Sequence, residues 1–370
     1  MRVVQIDKNL TLKVLIATPF GRGGRGGIDR IMDNLEAASK RSNEFLQIDI
    51  LQTRGDGHSV MMVLHMIRFF VSLFIRKLTN RIDLVHINVA QRGSVTRKAM
   101  LASACHRLGV PYVLHVHGSQ FHHYWQNGGP AAQRRLRNLI DQAARVVVLG
   151  TFWRDFLISV GAEPLRVVIV PNATAHPARA NVHDPQRPAS VLFLGKMSNR
   201  KGTPQLIEAL SRLTDLGPWR ATLAGNGDVE QARKRVAELG LTDRVNVLGW
   251  AGPEDVERLL SDQDILTLPS FDENLPMSVI EGMAHGMAVV TTPVGAVRDI
   301  ITDGQSGLLV EPGDIAGLSV AIGRCITDAT LRARLGASAR AYHGDHLDLD
   351  IYPHRIAEVW RDAAARSIGV

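Results

Sequence analysis

The chain has 370 residues, 45% hydrophobic and 21% charged, which suits about two globular domains and excludes a fibrous or disordered chain. Its two cysteines, Cys105 and Cys325, show no metal-ligand spacing, which excludes a disulfide framework and fits a reducing compartment. The net charge of +7 is uneven, with 24 Lys and Arg against 11 Asp and Glu in residues 1–180 and 19 against 25 in the remainder. A basic half attracts anions, but without zinc-finger spacing or an aromatic platform the anion is a lipid surface or a diphosphate-linked substrate, not a nucleic acid.

Met1 to Asn9 is mixed and polar, and Leu12 to Phe20 reads as a first strand instead of a signal core. No cleavable leader is expected, and a cytoplasmic protein is. The strand Lys13 to Ala17 runs into Gly21-Arg22-Gly23-Gly24-Arg25-Gly26-Gly27, ahead of a helical run from Ile28. Glycines admit a phosphate close to the backbone, and the helix behind them supplies N–H donors. The same cluster spells G-x-G-x-x-G, so a dinucleotide reading, with Asp49 at the end of the second strand on a ribose, stands beside it.

The second strand is Phe45 to Leu51. Residues 60–75 are the most apolar part of the chain and are followed by Arg76, Lys77 and Arg81. Sixteen residues with Arg68 among them are too few to span a bilayer, which takes about 20. Either this is a core helix, or it touches the inner face of a membrane; its basic flank favours the second. Strand-like runs then recur at Asp83 to Asn88, Pro111 to Val116, Arg145 to Leu149 and Val167 to Val170, separated by helical stretches. At the end of the fourth, alternation sets His115 and His117 on one face, ahead of Gly118.

Ala175 to Pro188 has no apolar periodicity and reads as a linker, after which the pattern restarts at Val191 to Leu194, Ala221 to Ala224, Val245 to Leu248, Ile265 to Leu268, Ala288 to Thr291 and Gly307 to Val310. The first strand of this set leads into Gly195-Lys196-Met197-Ser198-Asn199-Arg200-Lys201-Gly202, whose three cations suit a departing diphosphate. The fourth leads into Pro269-Ser270-Phe271-Asp272-Glu273-Asn274-Leu275-Pro276, and then into a helix that carries Glu281. Glu273 is thus expected in a turn and Glu281 about five residues into the helix, so one ligand can place a diphosphate at the helix terminus and ribose hydroxyls on the second acid. Asp262-Gln263-Asp264 and Asp348-Leu349-Asp350 spell D-x-D, but one opens a strand and the other precedes a helix, so both read as decoys for a metal motif. A last helix, Ile351 to Arg366, is expected to pack back on the first domain.

Glu273-x7-Glu281, together with Gly26-Gly27-Ile28-Asp29-Arg30 and Arg200-Lys201-Gly202, resembles the signature of the family 4 retaining glycosyltransferases over nearly the whole chain. His86-Ile87-Asn88, Gly93-Ser94, Arg97-Lys98 and His115-Val116-His117-Gly118-Ser119 are further similar to the subgroup that builds bacterial capsules and exopolysaccharides, and Pro171-Asn172 to the family's exit from its first domain. The resemblance implies an α/β, GT-B fold: two doubly wound, Rossmann-like domains facing a central cleft. These would be an acceptor-side domain (1–175), a donor domain (188–345) and a C-terminal segment (346–370).

By that resemblance Glu281 holds the donor ribose, Glu273 the transferred sugar, Lys201 the diphosphate and His117 a sugar hydroxyl. Lys196, Arg200, Asn274, Leu275, Gly26 and Gly27 complete the donor site. The family usually has arginine where this chain has Lys196, so a two-point phosphate contact becomes a point charge. Asn274 stands where many members carry a small residue or an aromatic. The implied reaction moves a hexosyl unit from a nucleoside-diphosphate sugar to a lipid-linked saccharide with retention, with no metal and no cofactor besides the donor. Its partners are the nucleotide sugar, the lipid-linked acceptor and the membrane surface. The alternatives are a nucleotide-sugar epimerase of the same fold and a non-catalytic subunit of a polysaccharide assembly complex.

Overall fold

A computed structural model describes residues 11–366 except 25, 43, 56–58, 91–92 and 178–186. The residues read above as free of a leader, and most of the segment read as a linker, lie outside the described residues. The chain divides into two compact units, Met1–Asn172 with Leu349–Val370, and Ala173–Asp348.

Unit 1 runs β1 (Leu12–Thr18), α1 (Gly27–Ser39), β2 (Leu46–Gln52), α2 (Ser59–Leu78), β3 (Leu84–Val89), α3 (Gly93–Arg107), β4 (Tyr112–Val116), α4 (Phe121–Asn127), α5 (Gly129–Asp141), β5 (Arg145–Val148), α6 (Thr151–Ser159) and β6 (Val167–Ile169). Unit 2 runs β7 (Ala189–Leu194), α7 (Thr203–Ser211), β8 (Trp219–Ala224), α8 (Val229–Glu238), β9 (Val245–Gly249), α9 (Pro253–Asp262), β10 (Ile265–Leu268), α10 (Met277–Ala284), β11 (Ala288–Thr291), α11 (Val297–Ile300), β12 (Leu308–Leu309), α12 (Ile315–Thr327) and α13 (Ala329–His346). The last helix, α14 (Tyr352–Arg366), belongs to unit 1.

Each unit holds a six-stranded parallel sheet, in the order β2-β1-β3-β4-β5-β6 in unit 1 and β12-β11-β10-β7-β8-β9 in unit 2. Helices cover both faces of a parallel sheet, so its strands become unbroken apolar runs. β3, β4, β5, β10 and β11 are buried at every position. A doubly wound sheet binds ligands where its strand order reverses, outside the carboxyl ends. That place lies between β1 and β3 in unit 1 and between β7 and β10 in unit 2.

α14 packs on α1, β3 and β4. Its Trp360, fully buried, donates from Nε1 to His86 Nδ1 at 2.9 Å, while its Arg361 pairs with Glu44 and its Asp362 with Arg145. Each of these contacts joins α14 to the body of unit 1.

α2 is two-faced. Met66, Phe69 and Leu73 enter the core of unit 1, whereas Val60, Met61, Val63, Leu64, Ile67, Val71, Phe74, Ile75 and Leu78 remain 45% to 70% exposed. Arg76 turns inward to Asp49 at 2.7 Å. No helix among the described residues is long and apolar enough to cross a membrane. Because the two faces differ so sharply, Phe69→Ala is expected to lower unfolding free energy by about 3–5 kcal/mol, while Ile67→Ala shifts it by under about 1 kcal/mol. Urea unfolding of the two variants checks this; equal losses would mean that both faces are packed.

Candidate functional site

In unit 2 the loops that follow β7 and β10 lie against each other, and glycine makes this possible. Gly202 has φ +70°, and a Cβ there would stand 2.0 Å from the Pro269 carbonyl oxygen. Across the contact Phe271 N donates to Arg200 O at 2.8 Å, and Arg200 Nη1 donates to Asp272 O at 2.6 Å. These bonds align the two cations with the acid. Lys201 Nζ lies 2.5 Å and Arg200 Nη1 3.5 Å from Glu273 Oε1, to which Ser270 Oγ also donates at 2.9 Å.

Glu273 is only 8% exposed, so an unpartnered charge there would cost several kcal/mol. The cations and the serine offset that cost and fix the carboxylate in one place. A second glycine clamps the loop from behind. A Cβ on Gly295, whose φ is +57°, would stand 2.2 Å from Glu273 O and 2.4 Å from Asn274 O; Ala296 N donates to Asn274 O at 2.7 Å. Thr292 Oγ1 adds a bond to Ser270 O at 2.6 Å.

Asn274 and Leu275 are buried beside Glu273 and lead into α10, capped by Pro276. The first intrahelical bond runs from Val279 N to Pro276 O at 3.2 Å, so the N–H groups of Met277 and Ser278 precede the helical ladder. Glu281, half-buried in the second turn, uses its backbone oxygen to accept from His285. Lys196 is exposed just after β7 and forms no ion pair among the described residues, so of the three basic side chains in its loop only Arg200 and Lys201 meet the acid.

In unit 1 the glycine loop after β1 is held by Asp29, fully buried, whose Oδ1 accepts from Phe20 N at 2.9 Å and Gly21 N at 3.1 Å. Gly26 caps α1, and Gly26 and Gly27 line a cavity of about 640 Å³ with Arg54, Met62, Ser94 and Arg97. Burial and the neighbouring Arg54 hold Arg97 below the usual guanidinium range. Neither Arg54 nor Arg97 stood out in sequence as part of this cavity, since they arrive from the loop after β2 and from α3.

The third cluster is a line of imidazoles on β3 and β4. The register sets Asn88 opposite His115, so alternation brings His86, Asn88, His115 and His117 to one face. His115 and His117 stack with centroids 3.9 Å apart. Because His86 Nδ1 accepts from Trp360, its other nitrogen carries the proton and faces His115 Nδ1 at 3.3 Å. Asn88 Nδ2 points to Ala17 O, so its oxygen accepts from His117 Nε2 at 2.8 Å, which leaves His117 Nδ1 as an acceptor. Burial, with a smaller repulsion from His86, lowers His117 to about 3. Lys98, from the same sequence stretch, is fully buried on Ala17 O and Thr53 Oγ1 and serves the packing of unit 1.

The structure corrects one sequence reading, that of Asp49, and leaves the D-x-D pairs as they were read. Asp49 lies inside β2 opposite Leu15 and pairs with Arg76, so it is committed to α2 and not presented to a ribose. Asp264, the second acid of one D-x-D, is buried under Ser190 and Arg187, while Asp350 of the other stands exposed near Arg41. Ser270, Thr292 and Gly295 were not singled out in sequence; only the turn-like Pro293-Val294-Gly295 hinted at the last.

Residues 177–342 match the family described as "Glycosyl transferases group 1", and residues 50–173 match the "Glycosyl transferase 4-like domain". The chain belongs to the family 4 glycosyltransferases of the GT-B fold. It is 26% identical to the Alpha-D-kanosaminyltransferase of Streptomyces kanamyceticus over 276 residues, covering 69% of this chain and 71% of that one. It is 33% identical to the lipopolysaccharide core biosynthesis glycosyltransferase LpsE of Rhizobium meliloti over 158 residues, covering 42% and 45%. The structure of Anabaena HepE in complex with UDP and glucose superposes on this glycosyltransferase with a TM-score of 0.73 at 19% identity, covering 94% and 98%.

Stability of the enzyme should fall in mild acid. Burial lowers His86 to about 3 and His343 to about 4, against 6.5 when unfolded, so below pH 6.5 only the unfolded chain takes up these protons. Each such histidine removes up to about 1.4 kcal/mol per pH unit down to its folded pKa. A urea midpoint at pH 5 as high as at pH 7 would contradict this.

Proposed function

We propose that this glycosyltransferase moves a hexosyl unit from a nucleoside-diphosphate sugar to a hydroxyl of a lipid-linked saccharide during assembly of a bacterial surface polysaccharide, with retained anomeric configuration and without a metal. The observation that carries the reading is the Glu273 carboxylate gripped by Lys201, Arg200 and Ser270 at the strand reversal of unit 2.

In this reading Glu273 accepts hydrogen bonds from hydroxyls of the transferred sugar, and Asn274 and Leu275 shape the floor beside it. Lys201 and Arg200 sit within reach of both the acid and an incoming diphosphate, and Lys196 adds a point charge. Charge that builds on the departing diphosphate is stabilised by these cations without reorganisation, which is the part a divalent ion plays in other transferases. Glu281 takes the ribose, and the first N–H groups of α10 face the diphosphate. The acceptor proton passes to a diphosphate oxygen as the glycosidic bond breaks, so no protein nucleophile is required. In unit 1, His117 has a neutral acceptor at Nδ1 that suits a sugar hydroxyl, and Gly26 and Gly27 open α1 where backbone N–H groups suit an anion.

The lipid-linked acceptor and the membrane rest on α2. Its exposed apolar face, with Arg68, Lys77 and Arg81 nearby, has the composition of a helix that lies in an anionic interface. The similarity to a lipopolysaccharide core enzyme supports the same direction.

Glu273→Gln is expected to lower kcat by about 100-fold, and Glu281→Gln to act mainly on donor KM by about 10-fold. NMR of the product should show retention, at a rate unchanged when Mg²⁺ and Mn²⁺ are omitted. Undiminished transfer by either variant, or donor isomerisation without acceptor, overturns the reading. For the membrane part, Ile67→Asp with Phe74→Asp should reduce co-sedimentation with anionic phospholipid vesicles at unchanged circular dichroism; equal co-sedimentation removes the assignment of α2.

A further inference from the structure

We propose that His176, His343 and Asp348 form a binding site for one divalent ion of the zinc class, which ties together the two ends of unit 2. The ligand atoms of the three residues all lie within 4.8 Å of one another. His176 Nδ1 is 3.3 Å from His343 Nδ1 and 3.7 Å from Asp348 Oδ2. A tetrahedral ion with bonds of about 2.0–2.1 Å needs neighbouring ligands about 3.4 Å apart, so these separations fit with small side-chain movement. Two imidazoles and a carboxylate suit zinc better than calcium or magnesium, which favour all-oxygen shells.

The surroundings favour an ion over a bare hydrogen bond. His343 is fully buried, and its second ring nitrogen lies 2.9 Å from Thr174 Oγ1. A proton on that nitrogen orients the ring and leaves Nδ1 with a lone pair aimed at His176, as in the outer shell of metal-bound histidines. Arg340, one turn earlier on α13, is turned away onto Pro177 O and Ala284 O. The backbone already draws these segments together, since Thr174 bridges Asp348 and Thr174 N donates to Leu347 O at 3.1 Å. An ion here closes a loop of 167 residues, and its role is to hold the chain where unit 2 begins and ends. None of the contacts that hold Glu273 involves these residues.

The test uses the untagged full chain, stripped with chelator and titrated with Zn²⁺ or Co²⁺. One equivalent should bind, raise Tm, and with Co²⁺ give the visible absorption of a tetrahedral site. His176→Ala and Asp348→Asn, at the accessible side of the cluster, should keep the Tm of the metal-free protein and lose the Zn²⁺-dependent rise. Thr174→Val should weaken binding by about 10- to 100-fold. His343 is left intact because its burial makes a variant prone to misfold. No rise in Tm and no stoichiometric binding would reduce the cluster to a hydrogen bond between two histidines. Equal binding by His176→Ala would place the metal on other histidines of the chain; either result overturns the proposal.

Discussion

Unit 2 is organised around a carboxylate that the fold takes out of water. Lys201, Arg200 and Ser270 all reach the same oxygen of Glu273, which is only 8% exposed. The two cations arrive only if the loop after β7 touches the loop after β10, and that contact requires Gly202, with Gly295 bracing the far side. The geometry reverses the usual order of explanation for a basic loop. Its cations complete a buried ion cluster first, and the same cluster then presents both signs of charge at the strand reversal.

Unit 1 solves a different problem with neutral groups. The line Trp360, His86, His115, with His117 on Asn88, fixes tautomers by donation alone, and burial keeps His86 and His117 uncharged well below neutral pH. A surface imidazole would switch charge in the physiological range. Here the ring near the carboxyl end of β4 keeps one protonation state throughout that range, and the constraint on it begins at a tryptophan on the last helix.

Much of the architecture was legible in the sequence because parallel strands buried on both faces leave a strong trace. All twelve strands stand within one or two residues of the apolar runs that marked them, and α10 begins after Pro276 as its proline indicated. The chemical residues of the second unit were legible as types in loops, but their mutual contact was not, since Arg200 and Asp272 are 72 positions apart. Asp49 was misread because it stands in the second half of β2 without any sign in the sequence of its partner: Arg76 pairs with it from a helix whose facing no composition reveals. Gly295 and Thr292 escaped because their task is to support a backbone, which leaves only a turn signal.

Unit 2 is one uninterrupted stretch, Ala173–Asp348, inserted into unit 1, whose remaining piece is the segment from Leu349 onward. During synthesis the inserted unit therefore has its whole sequence in hand while the surrounding one still waits for α14. Until that helix emerges from the ribosome, His86 lacks the indole that fixes its proton, Arg145 lacks Asp362, and Glu44 lacks Arg361. The later-translated unit can mature first, and a nascent chain cut short by a few dozen residues carries a finished second half beside an unsealed first one.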